Sequence, residues 1–285
     1  MATFYNQATL SYGGNVVNSN TTEAELLSGL ELTKTAITAN YTAGSNVVYA
    51  ITLNNMGSVV YNDLTVTDDL GEYLLPGGTT AVPLTYVADS LLYYLNGVLQ
   101  ATPTVTAVGN LTIEGIDLPA NSTATFIYEA RANEFAPTAA GSAITNTATT
   151  NGGVGIGEIT ASATVTVYEA PALTIAKAVC PAVLNDNDQL TYTIIVQNLG
   201  NTPIVATDGV IIGDVFNPVL SDLTVTLNGT ELALGTGYTY NAATGEFATV
   251  DGIITVPAAT YVQDPTTGTI TTTPGVAVLT VTGRV

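Results

Sequence analysis

The chain has no histidine, no tryptophan, one cysteine and only four lysines and arginines in 285 residues. Without histidine, neither a His–Asp–Ser nor a Cys–His nucleophile arrangement can be assembled, and zinc sites built on histidine and cysteine are excluded. No metal and no cofactor are expected, and the reading is of a protein that is not an enzyme. Cys180 has no partner for an internal disulfide, so it is read as a small buried hydrophobe, with an intermolecular disulfide as the alternative. The scarcity of basic residues against 23 acidic ones leaves a net charge of -19. Nucleic acid is excluded as a partner, because phosphate binding needs clustered Lys and Arg. An anionic membrane surface would repel such a chain. No run approaches the ~18 apolar residues of a membrane span, so no membrane insertion is expected. Residues 1–12 lack the basic start and apolar run of a secretory signal, so the expectation is either that a signal has been removed ahead of them or that the protein leaves the cell by another route, such as lysis of the producing cell.

The apolar residues are mostly Val, Ile, Leu, Tyr and Ala, and Thr is frequent. Strands favour this set. No stretch carries apolar residues at helical spacing beyond two turns. Short strands alternate with turns rich in Gly, Asn, Asp and Pro, which predicts an all-β chain. Its length suits two domains of about 100–150 residues each.

An internal repeat fixes the organisation. Leu32-Thr33-Lys34-Thr35-Ala36 resembles Thr174-Ile175-Ala176-Lys177-Ala178, and Tyr49–Gly57 resembles Tyr192–Gly200, both at an offset of 143. Val66–Leu70 matches Ile212–Phe216 after a small insertion, and Phe126–Arg131 matches Val278–Arg284. All four basic residues fall into equivalent pairs, Lys34/Lys177 and Arg131/Arg284. Asn96-Gly97 and Asn228-Gly229 are matching hairpin signals. The many short alternating strands predict two tandem immunoglobulin-like β-sandwiches.

The repeats differ at their ends. The first continues past Arg131 into a terminal hairpin, Ile144–Thr149 and then Ile159–Val167; the second stops at Val285. A similar hairpin stands at the front, where Tyr5–Tyr12 resembles the strand beginning at Thr145 and a Gly13-Gly14 turn leads to Val16–Thr22. The expected division is a donor hairpin at 1–29, a complete sandwich at 30–172 and an incomplete acceptor sandwich at 173–285. An open sandwich leaves backbone groups unpaired and core exposed. The expected remedy is a hairpin donated by another copy, with Phe4, Asn6, Ala8, Leu10 and Tyr12 facing the groove and Val16 and Val17 on the second strand. Such a head-to-tail contact gives a homopolymeric filament. The alternative is an adhesin stalk or ligand-binding module cut from a longer tandem array, its host ligand unknown.

On Leu32–Ala36, Tyr49–Gly57, Val66–Leu70 and Ile144–Thr149, the repeat resembles the conserved repeat domain, a family of unknown function found in tandem on bacterial surface proteins. The resemblance implies a β-sandwich at a cell surface, used as a spacer or stalk. Donor-strand fibres such as pili and spore appendages are the functional parallel, and they imply an extracellular place on a cell or spore surface.

One constellation carries chemistry. Lys34 stands in the first strand, Asp68 in a middle strand and Asn146 at the start of the terminal hairpin. Sandwiches resembling collagen-adhesin domains place a Lys, an acid and an Asn this way and form an isopeptide bond. Burial makes the lysine a nucleophile, and the acid polarises the amide and moves protons. In the second repeat the equivalents are Lys177 and Asp214, with Asn6 of the next subunit as the third member. The plainer reading makes both lysines strand-end charges and both asparagines turn caps. Asn55 and Asn198 precede turns and are alternative bond partners. Asn185-Asp186-Asn187-Asp188 is read as a solvated turn rather than a calcium loop, and Tyr93-Tyr94 as packing rather than a sugar platform.

Overall fold

The computed structural model describes residues 2–26, 29–151, 157–183, 185 and 188–285. Among them the only helical element is one 3-10 turn, Ala206–Asp208; everything else regular is β-strand. The chain forms two compact units. One gathers residues 1–74, 80–136 and 144–165, and the other gathers 75–79, 137–143 and 166–285.

In the first unit, one sheet runs in the order Val98–Leu99, Leu92–Leu95, Ser122–Ala132, Asn46–Asn55, Leu30–Ala36. The facing sheet runs Thr104–Val108, Asn110–Leu118, Tyr61–Asp68, Ala143–Asn151, Glu158–Val167, Asn40–Tyr41. Alternate side chains of each strand enter the space between sheets. Tyr49, Ile51 and Leu53 meet Leu111, Ile113, Phe126 and Tyr128 there, all fully buried. Burial on this scale contributes about 1.5–3 kcal/mol per large side chain and holds the sandwich together. Tyr93 stacks on Phe126 at 4.9 Å, which makes it a packing residue.

The second unit repeats the first sheet as Leu173–Cys180, Gln189–Asn198, Gly275–Arg284, Ser221–Leu227 and Thr230–Glu231. Equivalent pairs keep their register: Lys34 lies opposite Ile51, and Lys177 opposite Ile194. Among the described residues its second sheet has three strands, Gly213–Val215, Glu246–Thr249 and Tyr238–Tyr240. Leu190, Ile194, Phe216, Phe247, Leu279 and Val281 form its core.

The hairpin turns follow from their residues. Asn96 and Gly97 have φ of 49° and 77°, and Asn228 and Gly229 have 49° and 80°. Two successive positive φ values match the twist of the flanking strands, and Asn-Gly reaches them at little cost. Each asparagine also reaches the neighbouring strand: the Asn96 side-chain oxygen accepts from the Thr123 N–H, and that of Asn228 from the Val278 N–H, both at 2.9 Å.

The front of the chain is a long hairpin. Ala2–Asn6 pairs with Thr22–Leu26, and Thr9–Tyr12 with Asn15–Asn18. The register shifts by one residue between the two ladders, so a bulge divides the hairpin. Tyr5, Leu10, Tyr12, Val16 and Val17 are all exposed. Asn6 and Ala8 are exposed too, and the side chain of Phe4 lies outside the described residues.

One expectation is corrected. Cys180 is exposed rather than buried. It is still paired with Thr191 in the ladder, but it lies three residues from Lys177 and so on the outer face of the sheet, as its equivalent Ile37 lies on the face opposite Lys34. Two of the four residues of the candidate calcium turn, Asp186 and Asn187, lie outside the described residues. Asp188 accepts hydrogen bonds from the Asn185 backbone and side chain, as a turn-closing residue does. No cluster of potential metal ligands occurs among the described residues.

Candidate functional site: a buried lysine pocket and its open counterpart

Lys34 points inward from Leu30–Ala36, where alternation places Leu30, Leu32 and Lys34 on the buried face. A lysine there is costly unless paired. Its Nζ donates to Asp68 Oδ2 at 2.5 Å, and both side chains are wholly removed from solvent. Asp68 closes Tyr61–Asp68 on the facing sheet, and its other oxygen accepts from the Leu70 N–H at 3.0 Å. Burial pulls the Lys34 pKa down, against the attraction of Asp68 and then of Asp69. Burial thus favours the uncharged, nucleophilic amine over the ammonium.

Asn146 enters the same pocket from Ala143–Asn151 and is fully buried. Its Nδ2 donates to the Tyr128 hydroxyl at 3.2 Å, and that hydroxyl donates to Asp68 Oδ2 at 2.5 Å. Tyr128 is buried, and burial, with the nearby Asp68, raises its pKa well above that of a free phenol. Tyr49 stacks on Tyr128 at 5.7 Å, and its ring lies 5.0 Å from Lys34 Nζ. Among the described residues, two buried side-chain polar atoms lack a hydrogen bond of good geometry: Tyr49 OH and Asn146 Oδ1. The pocket thus holds a depressed lysine, an acid, a primary amide with an unbonded carbonyl, and two phenols.

The second unit holds half of this arrangement. Lys177 donates to Asp214, over the Tyr192 ring at 4.2 Å and the Phe216 ring at 5.4 Å. Tyr192 is the equivalent of Tyr49, whereas Val281 stands where the first repeat has Tyr128. No described asparagine reaches the pair. The strands around it are bare. Leu30 and Leu32 are 4% and 6% exposed, whereas their equivalents Leu173 and Ile175 are 42% and 64% exposed. The Lys177 side chain is 39% exposed against none for Lys34. In the first sandwich, Ala143–Asn151 lies beside Tyr61–Asp68 with Ala148 opposite Asp68. In the second, Gly213–Val215 pairs on one side only, with Glu246–Thr249.

Asn6 lies in the front hairpin, in Ala2–Asn6. Asn55 and Asn198 do not enter either pocket. Asn55 is fully buried and ties a turn together, donating to Val59 O and Pro119 O at 2.8 Å and accepting from the Gly57 N–H. Asn198 does the same with Thr202 O, Pro257 O and the Gly200 N–H. The sequence reading missed Tyr49 and Tyr128. Tyr49 is signalled in the sequence by the Tyr49/Tyr192 equivalence. Tyr128 joins the pocket through cross-strand register, which spacing along the chain does not display.

No family model and no curated relative matches the chain. Among solved structures, similar ones include BcpA, the major pilin subunit of Bacillus cereus, at 13% identity and a TM-score of 0.37, covering 98% of this chain and 74% of that one. A 35 kDa C-terminal fragment of the major pilin GBS80 of Streptococcus agalactiae matches at 12% identity and 0.36, covering 86% and 91%. The collagen-binding subdomain of the Enterococcus faecalis surface protein ACE matches at 10% and 0.32, covering 46% and 94%. Likenesses this distant carry no functional assignment.

Proposed function

We propose that this chain is a structural subunit of an extracellular fibre on a cell or spore surface, not an enzyme, and that it polymerises head to tail. The front hairpin of one copy, residues 1–29, completes the second sandwich of the next, where it takes the place that Ala143–Asn151 and Glu158–Val167 hold in the first. Phe4, Asn6, Ala8 and Leu10 then occupy the inward positions of Ile144, Asn146, Ala148 and Thr150. Main-chain pairing along the free edge gives affinity, and the alternate side chains give register.

The observation that carries this reading is one strand seen in two states. Leu30, Leu32 and Lys34 are covered, and Leu173, Ile175 and Lys177 are bare, at the same positions of one repeat. The likeness of Tyr5–Tyr12 to the strand from Thr145 names the occupant. Within the first sandwich, Lys34 attacks the Asn146 amide with Asp68 as the acid–base group, and an isopeptide bond replaces the ion pair. At the junction, Lys177 and Asp214 act on Asn6 of the incoming hairpin, and the fibre becomes covalent.

Electrophoresis after boiling in detergent tests both halves. The full chain is expected to give a ladder of multiples of 29.2 kDa. A variant lacking residues 1–22 is expected to stay monomeric. Equal behaviour of the two proteins would refute the donor hairpin and favour a stalk module closed by other means.

A further inference from the structure

The hydrogen bonds of the buried pocket raise a question of proton traffic. Forming the amide between Lys34 Nζ and Asn146 Cγ breaks the bond from Cγ to Nδ2. One proton must leave the lysine nitrogen, and one must reach the departing nitrogen, so that neutral ammonia is released. Bulk water is absent: Lys34, Asp68, Tyr128 and Asn146 are all buried. Asp68 cannot make the delivery alone. Its Oδ2 is shared by Lys34 and Tyr128, its Oδ1 is held by the Leu70 N–H, and it makes no hydrogen bond to Asn146 among the described residues.

We propose that Tyr128 is the proton relay of this reaction, standing between Asp68 and the leaving nitrogen of Asn146. The proposal rests on the isopeptide reading above and names the group which that reading lacks. The path is unbroken: Lys34 Nζ to Asp68 Oδ2 at 2.5 Å, Asp68 Oδ2 to Tyr128 OH at 2.5 Å, Tyr128 OH to Asn146 Nδ2 at 3.2 Å. With the shared proton on Asp68, the Lys34 amine adds to Cγ. The amide nitrogen, now tetrahedral, has a lone pair to accept a proton. Tyr128 gives its proton to that nitrogen and takes one from Asp68, which takes one from the attacking nitrogen. Ammonia leaves, Tyr128 regains its hydroxyl proton, and Asp68 is left protonated, holding the proton it first took from the Lys34 ammonium. The second pocket puts Val281 where this hydroxyl would be, so it has the nucleophile and the acid without the relay.

The test uses the full chain carrying Tyr128→Phe or Tyr49→Phe, with intact mass followed from synthesis onward. Tyr49 is the control, because it belongs to the same ring stack but its hydroxyl, unlike that of Tyr128, makes no hydrogen bond to Asp68. The wild type and Tyr49→Phe are expected to be light by one ammonia, about 17 Da, per bond on purification. Tyr128→Phe is expected to retain that mass in its first sandwich and convert roughly a hundredfold more slowly. A fluorinated tyrosine at position 128 keeps ring and hydroxyl but changes the acidity. Its conversion rate is expected to shift with that acidity, which a packing role would not produce. Conversion of Tyr128→Phe at the wild-type rate overturns the relay, as does equal arrest of Tyr49→Phe or indifference to fluorination. A wild type that keeps its full mass removes the isopeptide reading itself, and the relay with it.

Discussion

Placing an aspartate at Ile175 asks most directly whether the bare strand is a binding surface. If a donated hairpin covers it as Ala143–Asn151 and Glu158–Val167 cover the first sandwich, Ile175 falls from 64% exposure to the 6% of Leu32, and Leu173 from 42% to the 4% of Leu30. On the donor, Leu10 falls from 62% to the 1% of Thr150. At about 1.5–3 kcal/mol for full burial of such a side chain, these three residues contribute about 2–5 kcal/mol to each junction. Ile175→Asp removes about 1–2 kcal/mol of this and forces a carboxylate into an apolar groove at a cost of several more. A total above about 4 kcal/mol weakens the junction by roughly three orders of magnitude. Leu10→Asp damages the other partner in the same way. Each variant alone is expected to be monomeric by light scattering on a sizing column. Mixed, they have one sound hairpin and one sound groove between them, so they are expected to stop at a dimer. Filaments from either variant alone, or a mixture that stays monomeric while the wild type polymerises, would refute the reasoning.

Asn146→Ala is expected to abolish the ammonia loss of the first sandwich. Losing a cross-link over a loop of about 110 residues costs about 5 kcal/mol, read as a fall in Tm of roughly 15–20 °C by calorimetry. Since the second pocket lacks the Tyr128 hydroxyl, mass loss within the chain is expected to finish before boiling-resistant ladders appear in a time course. Alkali is expected to destabilise the first sandwich. Unfolded tyrosines lose their protons near pH 10, while burial holds Tyr41 up to about 12 and raises Tyr49 and Tyr128 as well. Above pH 10 the folded state therefore binds more protons than the unfolded one, and stability present below pH 10 is lost as pH climbs towards 12, as urea midpoints across that range would show. Gly275→Ala would put a methyl group 1.8 Å from the Pro257 carbonyl oxygen, and it is expected to lower the stability of the second sandwich by about 3 kcal/mol or more in denaturant titration.

Much of the architecture was legible because the sequence states it twice. An offset of 143 aligned Lys34 with Lys177 and Tyr49 with Tyr192, and the two strands keep that correspondence in cross-strand register. The Asn-Gly pairs marked their turns because few other dipeptides tolerate two positive φ values. The gathering of Lys34, Asp68 and Asn146 followed from the order of strands in a sandwich. Tyr128 was not legible, because its place beside Asp68 depends on which residue of Ser122–Ala132 lies opposite Tyr49. The exposure of Cys180 was not legible for a related reason: it stays in the ladder opposite Thr191 but points to the outer face, and an apolar residue type does not say which face it takes.

With only four basic residues, the chain leaves trypsin-type proteases little to work on. Proteases of the trypsin type cut after Lys or Arg, and they need a stretch of backbone loose enough to lie extended in their cleft. Here every such residue sits within a ladder: Lys34 in Leu30–Ala36, Arg131 in Ser122–Ala132, Lys177 in Leu173–Cys180 and Arg284 in Gly275–Arg284. The loops, where nicking would be easiest, carry none. Limited digestion with trypsin is therefore expected to leave the chain intact for longer than enzymes that cut after Tyr, Phe or Leu would.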